Sequence, residues 1–160
     1  MKDSINKICE FLNEILNQLL EFERETMEIM YCDVDSILRH TENRVSITHN
    51  IDNIFSEIEK ICNQIRDGEE LWKIIKNVSA YTKVKPEHED VFFKAQQIFS
   101  IVNRIKDSDV QAVSRINFEK DVLIKKIREI NKGQGAKASK FMVGTEKGGN
   151  KHFLGNNKTI

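Results

Sequence analysis

The sequence predicts an all-α protein: an elongated antiparallel helical hairpin or bundle of three to five helices with a flexible C-terminal tail. Hydrophobic residues recur every three or four positions across most of the first 131 residues, which is the spacing of one helix face. Helix breakers are almost absent there, since Pro86 is the only proline and Gly68 the only glycine before residue 132. We therefore predict a helical domain over residues 1–131 and a Gly/Lys-rich tail over residues 132–160.

The first predicted helix runs from about Asp3 to Tyr31 and would be about 40 Å long. Its apolar residues lie on a heptad seam in which Thr26 is the one polar member. Further apolar residues widen the stripe, which indicates packing against more than one neighbour. The seam consists of Ile5, Ile8, Leu12, Ile15, Leu19, Phe22 and Ile29.

A second predicted helix follows a short turn and runs to about Arg66. Asp33 is the expected N-cap, because its carboxylate can accept hydrogen bonds from the unpaired amides of the next helix. The short connection predicts an antiparallel hairpin. Gly68 is expected to end this helix in the left-handed conformation. The seam of the second helix consists of Ile47, Ile51, Ile54, Ile58, Ile61 and Ile65.

The sequence after Gly68 predicts a shorter helical segment from Leu71 to Tyr81. A new helix is predicted to start at Pro86, because proline and acidic residues suit the first turn. The apolar stripe then continues to Ile130. The polar residues 107–109 are compatible with a break, so the pattern leaves open whether residues 87–131 form one helix or two.

The cysteine pattern, together with the expected lack of a signal peptide and of a membrane span, predicts a cytoplasmic protein. The chain has no net charge, but residues 132–160 carry six lysines against one acidic residue, Glu146. The three cysteines, Cys9, Cys32 and Cys62, form no CxxC pair, which indicates a reducing compartment, with Cys9 and Cys62 as buried free thiols. No apolar run approaches the ~20 residues of a membrane span, and we expect no signal peptide.

We expect no catalytic residue, no cofactor and no metal site. The aspartate pairs at 33/35 and 107/109 lack the glycine and glutamate of a calcium loop, and residues 144–152 lack the lysine and the scaffold of a phosphate loop. His40 and His49 would lie on opposite helix faces, residues 87–90 read as an acidic first turn, and Cys32 has no evident base. Nucleic-acid binding is not expected either, because the basic tail reads as solvated and carries too few aromatic residues to stack bases.

Several stretches resemble the bacterial flagellar type III export chaperones, which have a long first helix, a short acidic turn and a second long helix. The similar segments are FLNEILNQLL (11–20), MYCDVDSIL (30–38), IVNRIKD (101–107) and IREINKGQGAKASKF (127–141). The resemblance covers about residues 5–141. The glycine-rich extension after Phe141 and the elaborate break between Gly68 and Pro86 depart from the family pattern.

The resemblance implies a cytoplasmic chaperone that masks the helical terminal segment of a late flagellar substrate, such as a filament-cap or hook–filament junction protein, and delivers it to the export apparatus. The alternative is a structural or regulatory coiled-coil module that self-associates, for instance as a homodimer, through the seams of the first two helices. By the resemblance, the partner-binding residues would be Val110, Val113, Ile116, Leu123, Ile127 and Ile130.

Overall fold

Four α-helices and two 3-10 turns make up the computed structural model, which describes the backbone of residues 2–146 and the side chains of residues 2–137. No β-strand occurs within residues 2–146, so the all-α prediction is confirmed. No helix in this part of the chain combines the length and apolarity needed to cross a membrane. The helices are α1 (Lys2–Tyr31), α2 (Val34–Cys62), α3 (Gly68–Ile75) and α4 (Glu89–Glu146), with 3-10 turns at Tyr81–Lys83 and Pro86–His88.

The chain divides between Asn117 and Phe118 into two structural units. In the first unit, α1 and α2 pack antiparallel, as the short connection predicts. The side chains that meet across the pair run in opposite directions along the sequence: Gln18 accepts from Asn50 at 3.5 Å, and Glu25 accepts from Asn43 at 3.0 Å.

The first part of α4 packs parallel to α1 in the same unit. Lys94 donates to Asn13 at 2.5 Å, and Arg104 forms an ion pair with Glu23 ten residues further along both helices. The pairing with Arg104 lowers the pKa of Glu23. Three long helical segments therefore lie side by side and enclose one hydrophobic core.

The core is built from the seams that the periodicity predicts. All the seam residues of α1 are buried except Phe22, which is half-buried, and Thr26 satisfies its hydroxyl by donating to the carbonyl oxygen of Phe22 at 2.8 Å. In α2 the residues Ile47, Ile54 and Ile58 are buried, and Ile51 and Ile61 are half-buried. The last residue of the predicted seam, Ile65, is also half-buried but lies beyond the end of the helix. The continuous part of the core includes Ile8, Leu12, Ile15, Ile54, Ile58, Leu71, Ile74, Val91 and Ile105.

Asp33 caps α2 as predicted. Its Oδ1 accepts from the backbone N–H of Ser36 at 3.0 Å and its Oδ2 from the Ser36 hydroxyl at 3.1 Å. These hydrogen bonds to Ser36 lower the pKa of Asp33 below its ordinary value. The cap satisfies amides at the start of the helix and so fixes where the hairpin turns.

The predicted end of the second helix at about Arg66 is wrong by four residues. The helix ends at Cys62, and tighter backbone hydrogen bonds follow, from Gln64 to Ile61 at 3.0 Å and from Gly68 to Ile65 at 3.1 Å. The left-handed conformation expected at Gly68 is also wrong, because no described glycine has a positive φ and Gly68 is the first residue of α3. The left-handed residue is Asn77, with φ 58°, directly after the C-cap of α3.

Gly68 is required for a different reason, which is the close approach of two backbone segments. A Cβ atom at this position would lie 1.7 Å from the carbonyl oxygen of Cys62. That contact is with backbone rather than with a movable side chain, so the connection between α2 and α3 would have to open. The absence of a side chain at Gly68 thus allows α3 to pack against the end of α2.

The question left open over residues 87–131 is answered by α4, which is a single helix. The polar residues 107–109 cause no break: the Ser108 hydroxyl donates to the carbonyl oxygen of Ile105 at 3.0 Å, and Asp109 pairs with Arg44 of α2. The helix includes residues 132–146 of the predicted tail, and residues 147–160 lie outside the described part of the chain. The division at residue 131 stays a prediction.

Two glycine substitutions are expected to have opposite effects on stability. Gly68→Ala should lower the free energy of unfolding by more than about 2 kcal/mol, since the backbone must shift to admit the methyl group. Gly133→Ala is the control, because its Cβ meets nothing within 4 Å. Alanine favours the helical state over glycine by about 0.5–1 kcal/mol, so this substitution should stabilise α4. Urea unfolding followed by circular dichroism measures both, and a Gly68→Ala variant as stable as the wild type would contradict the close approach.

Candidate partner-binding surfaces

The second unit carries an exposed apolar stripe on α4. Leu123, Ile127 and Ile130 are spaced by four and three residues, which puts them on one side of the helix. Their exposed fractions are 50%, 51% and 59%. None of residues 118–137 is buried. The stripe has the periodicity of a packing face but has no packing partner among the described residues of this unit.

The three other predicted partner-binding residues lie in the first unit and are covered to different degrees. Val110 and Val113 are exposed, whereas Ile116 is half-buried. Ala112, between them, is fully buried, so this stretch of α4 packs on the hairpin while its valines remain outside. The structure therefore leaves five of the six predicted residues accessible, and it does not test whether they bind a partner.

A groove between α1 and the first part of α4 is a second apolar surface. Its volume is about 420 Å³, within the range of sites that hold small ligands or single side chains. Leu20 is exposed, and Leu16 and Ile101 are half-buried. The groove is lined by Leu16, Asn17, Leu20, Gln97, Ser100 and Ile101.

A buried polar cluster joins α1 to α2 near the hairpin turn. Glu25 and His40 are both buried, and Oε2 of Glu25 accepts from Nδ1 of His40 at 2.7 Å and from Asn43 at 3.0 Å. Burial raises the pKa of Glu25, but the hydrogen bonds from His40 and Asn43 outweigh it and lower the pKa below its ordinary value. His49 is exposed, so the prediction that the two histidines of α2 lie on opposite faces is confirmed.

Arginines of α2 and α4 complete the ties at this end of the first unit. The guanidinium of Arg44 lies 4.5 Å from the centre of the Phe22 ring and pairs with Asp109. Arg115 donates to the carbonyl oxygens of Ile29 and Cys32 at 3.1 Å and 2.6 Å. Ile29 lies in the last turn of α1 and Cys32 directly follows the helix. Backbone carbonyls at this end have no hydrogen-bonding partner within the helix. The cluster is structural and lies among the three helices of this unit.

Cys9 and Cys62 are not activated thiols. Burial raises the pKa of Cys62 to about 11 and also raises the pKa of Cys9. A reactive cysteine needs a lowered pKa, because the thiolate is the nucleophile. Cys62 is buried as predicted, whereas Cys9 is only half-buried, and both are free thiols. These two residues are therefore packing residues.

One group of possible metal ligands was not apparent from the sequence, because it joins two separate segments. Asp67 lies in the connection between α2 and α3, and Glu87 and His88 lie in the 3-10 turn before α4. Ligand atoms of the three side chains lie within 4.8 Å of one another. Sequence spacing alone pointed only to the acidic turn at residues 87–90, which lacks the third ligand.

No protein-family model, curated protein or solved structure matches this chain.

Removing the buried carboxylate of Glu25 is expected to destabilise the first unit. Glu25→Ala leaves Nδ1 of the buried His40 ring without its partner, which costs about 2–3 kcal/mol in the free energy of unfolding. Glu21→Ala is the control, because the Glu21 side chain on the same helix is 44% exposed and pairs with the exposed Arg24, and the substitution should change stability by less than about 0.5 kcal/mol. Equal effects in chemical unfolding would show that the buried cluster contributes nothing specific.

The lowered pKa of Glu25 also predicts acid sensitivity. A carboxyl group whose pKa is lower in the folded state adds stability above its ordinary value of 4.5, and this stability is lost as the pH falls from there through the folded-state pKa. Between about pH 5 and pH 3 the wild type should therefore lose more stability than Glu25→Gln, which has no proton to take up. Urea titrations at several pH values measure the two slopes, and parallel curves would rule out this contribution.

Proposed function

We propose that this chain binds an amphipathic helix of another protein, and that the stripe formed by Leu123, Ile127 and Ile130 is the main contact surface. The observation that carries the proposal is the exposure of this stripe on a helix whose residues 118–137 include no buried side chain. Apolar residues at helical spacing that remain uncovered are the usual mark of a helix-binding surface.

The stability of the helix supports the same conclusion. Most helices in proteins are stabilised by tertiary packing of their apolar face, and isolated helices are marginal in water. Residues 118–137 obtain no such packing within their own unit. A partner helix laid along the stripe would supply it, and would bury the exposed half of each Leu and Ile side chain for roughly 1 kcal/mol apiece.

The partner that we propose is the terminal helix of a late flagellar export substrate, a filament-cap or hook–filament junction protein. This part of the proposal rests on the resemblance of residues 5–141 to flagellar export chaperones. Such a terminal helix is itself amphipathic and aggregates when uncovered, so masking it before export has a physical purpose. On this proposal the chain works in the cytoplasm as a chaperone and has no catalytic role.

Self-association is the second candidate, and the burial of the α1 and α2 seams favours a different contact surface for it. The α1 and α2 seams that suggested it are largely buried in the first unit, so a dimer through them would require the core to open. The exposed stripe on α4 is instead the surface that a second copy would use, with the three- and four-residue spacing of a coiled coil. Both candidates therefore depend on the same residues.

A matched pair of substitutions tests the stripe. Ile127→Asp replaces an exposed apolar residue of the stripe, and Phe118→Asp replaces one that is 65% exposed and lies nine residues away, hence on the opposite side of the helix. Both add one negative charge to α4. Ile127→Asp should raise the dissociation constant for a cap- or junction-protein terminal helix at least about tenfold, because burying a carboxylate against apolar side chains adds to the lost contact.

Calorimetry with the purified full chain measures the dissociation constant for the helix. The mass of the chain in solution measures its oligomeric state. The proposal requires a monomer that binds one of these terminal helices with a dissociation constant at or below about 10 μM and is weakened by Ile127→Asp but not by Phe118→Asp. No binding to any of them sinks the flagellar assignment. A stable dimer that Ile127→Asp dissociates would favour the self-association candidate, and equal loss in both variants would show that the stripe is not the contact.

A further inference from the structure

The buried side chain of His88 has no hydrogen-bonding partner among the described residues. It is fully buried, and neither Nδ1 nor Nε2 forms a hydrogen bond. A buried ring nitrogen without a partner costs free energy, and such groups are rare in folded proteins. Among the described side chains of the first unit, Glu25 and His40 bind each other and Thr26 binds a backbone carbonyl. Nε of Arg44 is also buried without a hydrogen bond, but its guanidinium pairs with Asp109 through Nη2, whereas His88 has no partner at either ring nitrogen. His88 therefore needs a separate explanation.

Two carboxylates lie next to this ring. Oxygen atoms of Asp67 and Glu87 and a ring nitrogen of His88 all lie within 4.8 Å of one another. Asp67 is half-buried and belongs to the connection that the close approach of Gly68 holds in place, while Glu87 is exposed. The ligand atoms of a tetrahedral zinc site lie about 3.4 Å apart, so atoms that already lie within 4.8 Å of one another need to approach by at most about 1.4 Å to bind a shared ion.

We propose that Asp67, Glu87 and His88 bind a divalent transition-metal ion of the zinc class at the junction of the α2–α3 connection and the start of α4. The imidazole nitrogen selects Zn²⁺ and its neighbours in the first transition series, because Mg²⁺ and Ca²⁺ prefer sites made only of oxygen ligands. Three protein ligands leave a fourth position for water. The ion would give the buried ring of His88 the partner it lacks.

Lys85 is the cation that now occupies part of this region. Its Nζ lies 3.2 Å from Oδ2 of Asp67 and 2.7 Å from Oε2 of Glu70. Because Glu70 is the nearer partner, Lys85 keeps an ion pair when Asp67 turns its carboxylate towards the metal. The two acidic residues thus divide their roles, with Glu70 holding the lysine and Asp67 holding the metal.

Metal binding here would crosslink two segments that are about twenty residues apart in the sequence. The 3-10 turn leads directly into the buried residues Val91 and Phe92, and Asp67 precedes the buried Leu71. An ion that binds only the folded arrangement stabilises it by mass action. The site would therefore fix the start of α4 against α3, at the opposite end of the hairpin from the Glu25 cluster.

The experiment uses the full chain without an affinity tag, reduced and freed of metal by a chelator. Zn²⁺ is titrated by calorimetry and Co²⁺ by visible absorption, and thermal unfolding is followed with and without Zn²⁺. We expect one equivalent of metal, a rise in Tm of roughly 5 °C at a hundredfold excess over Kd, and no thiolate-to-cobalt charge-transfer band, since the ligands are nitrogen and oxygen.

Matched variants assign the ligands. Glu87→Gln removes an exposed ligand without disturbing the core and should weaken binding at least about tenfold, and His88→Asn should do the same or more. Asp90→Asn, an exposed acid three residues further on, and His49→Asn, an exposed histidine of α2, should bind as the wild type does. If His88→Asn fails to fold, Glu87→Gln against Asp90→Asn decides the question.

The proposal is overturned if Glu87→Gln binds as tightly as the wild type or if His49→Asn abolishes binding. It is also overturned if cobalt shows a thiolate band, or if no metal binds below about 1 mM. None of these results bears on the stripe of α4, which is tested by helix binding alone.

Discussion

The structure of the first unit depends on burying one apolar seam of α1 against two other helices at once. The seam residues from Ile5 to Ile29 face α2 on one side and the first part of α4 on the other, and four of them are fully buried. Complete burial of an Ile or Leu side chain is worth about 1.5–3 kcal/mol, so this seam is the largest stabilising contribution along α1. The polar ties, such as the Arg104–Glu23 ion pair, lie at the edges of this contact.

The helices and the core were predictable from the sequence because both follow from local rules. Ile15 belongs to a row of apolar residues at helical spacing, so its burial follows once the segment is helical. Asp33 is recognisable as a cap because its hydrogen bond reaches only three residues ahead. From the polar residues 107–109 alone, the sequence did not decide between one helix and two. The partner that holds Asp109 in a continuous helix is Arg44, which lies 65 residues away in the chain.

Other features depend on contacts between distant segments, and for that reason the sequence did not reveal them. A glycine at position 68 suggests the end of a helix. Its actual role is to leave space, because the carbonyl oxygen of Cys62 lies where a side chain would be. His40 is paired with Glu25 from another helix, and His88 lies beside Asp67 from another connection. Spacing along one helix shows only which residues share a face. It does not show what the fold brings to that face.

The same limit governs the functional argument, because one periodicity has two different outcomes in this chain. Ile15 of α1 and Ile127 of α4 both occupy apolar positions at three- and four-residue spacing, yet Ile15 is fully buried and Ile127 is half exposed. The difference lies in what each helix contacts, not in its own sequence. A seam that packs within its own unit stabilises the fold, and this role explains its apolar residues. A seam that finds none has a cost in water, and the simplest reason for a chain to keep it is a partner outside the unit.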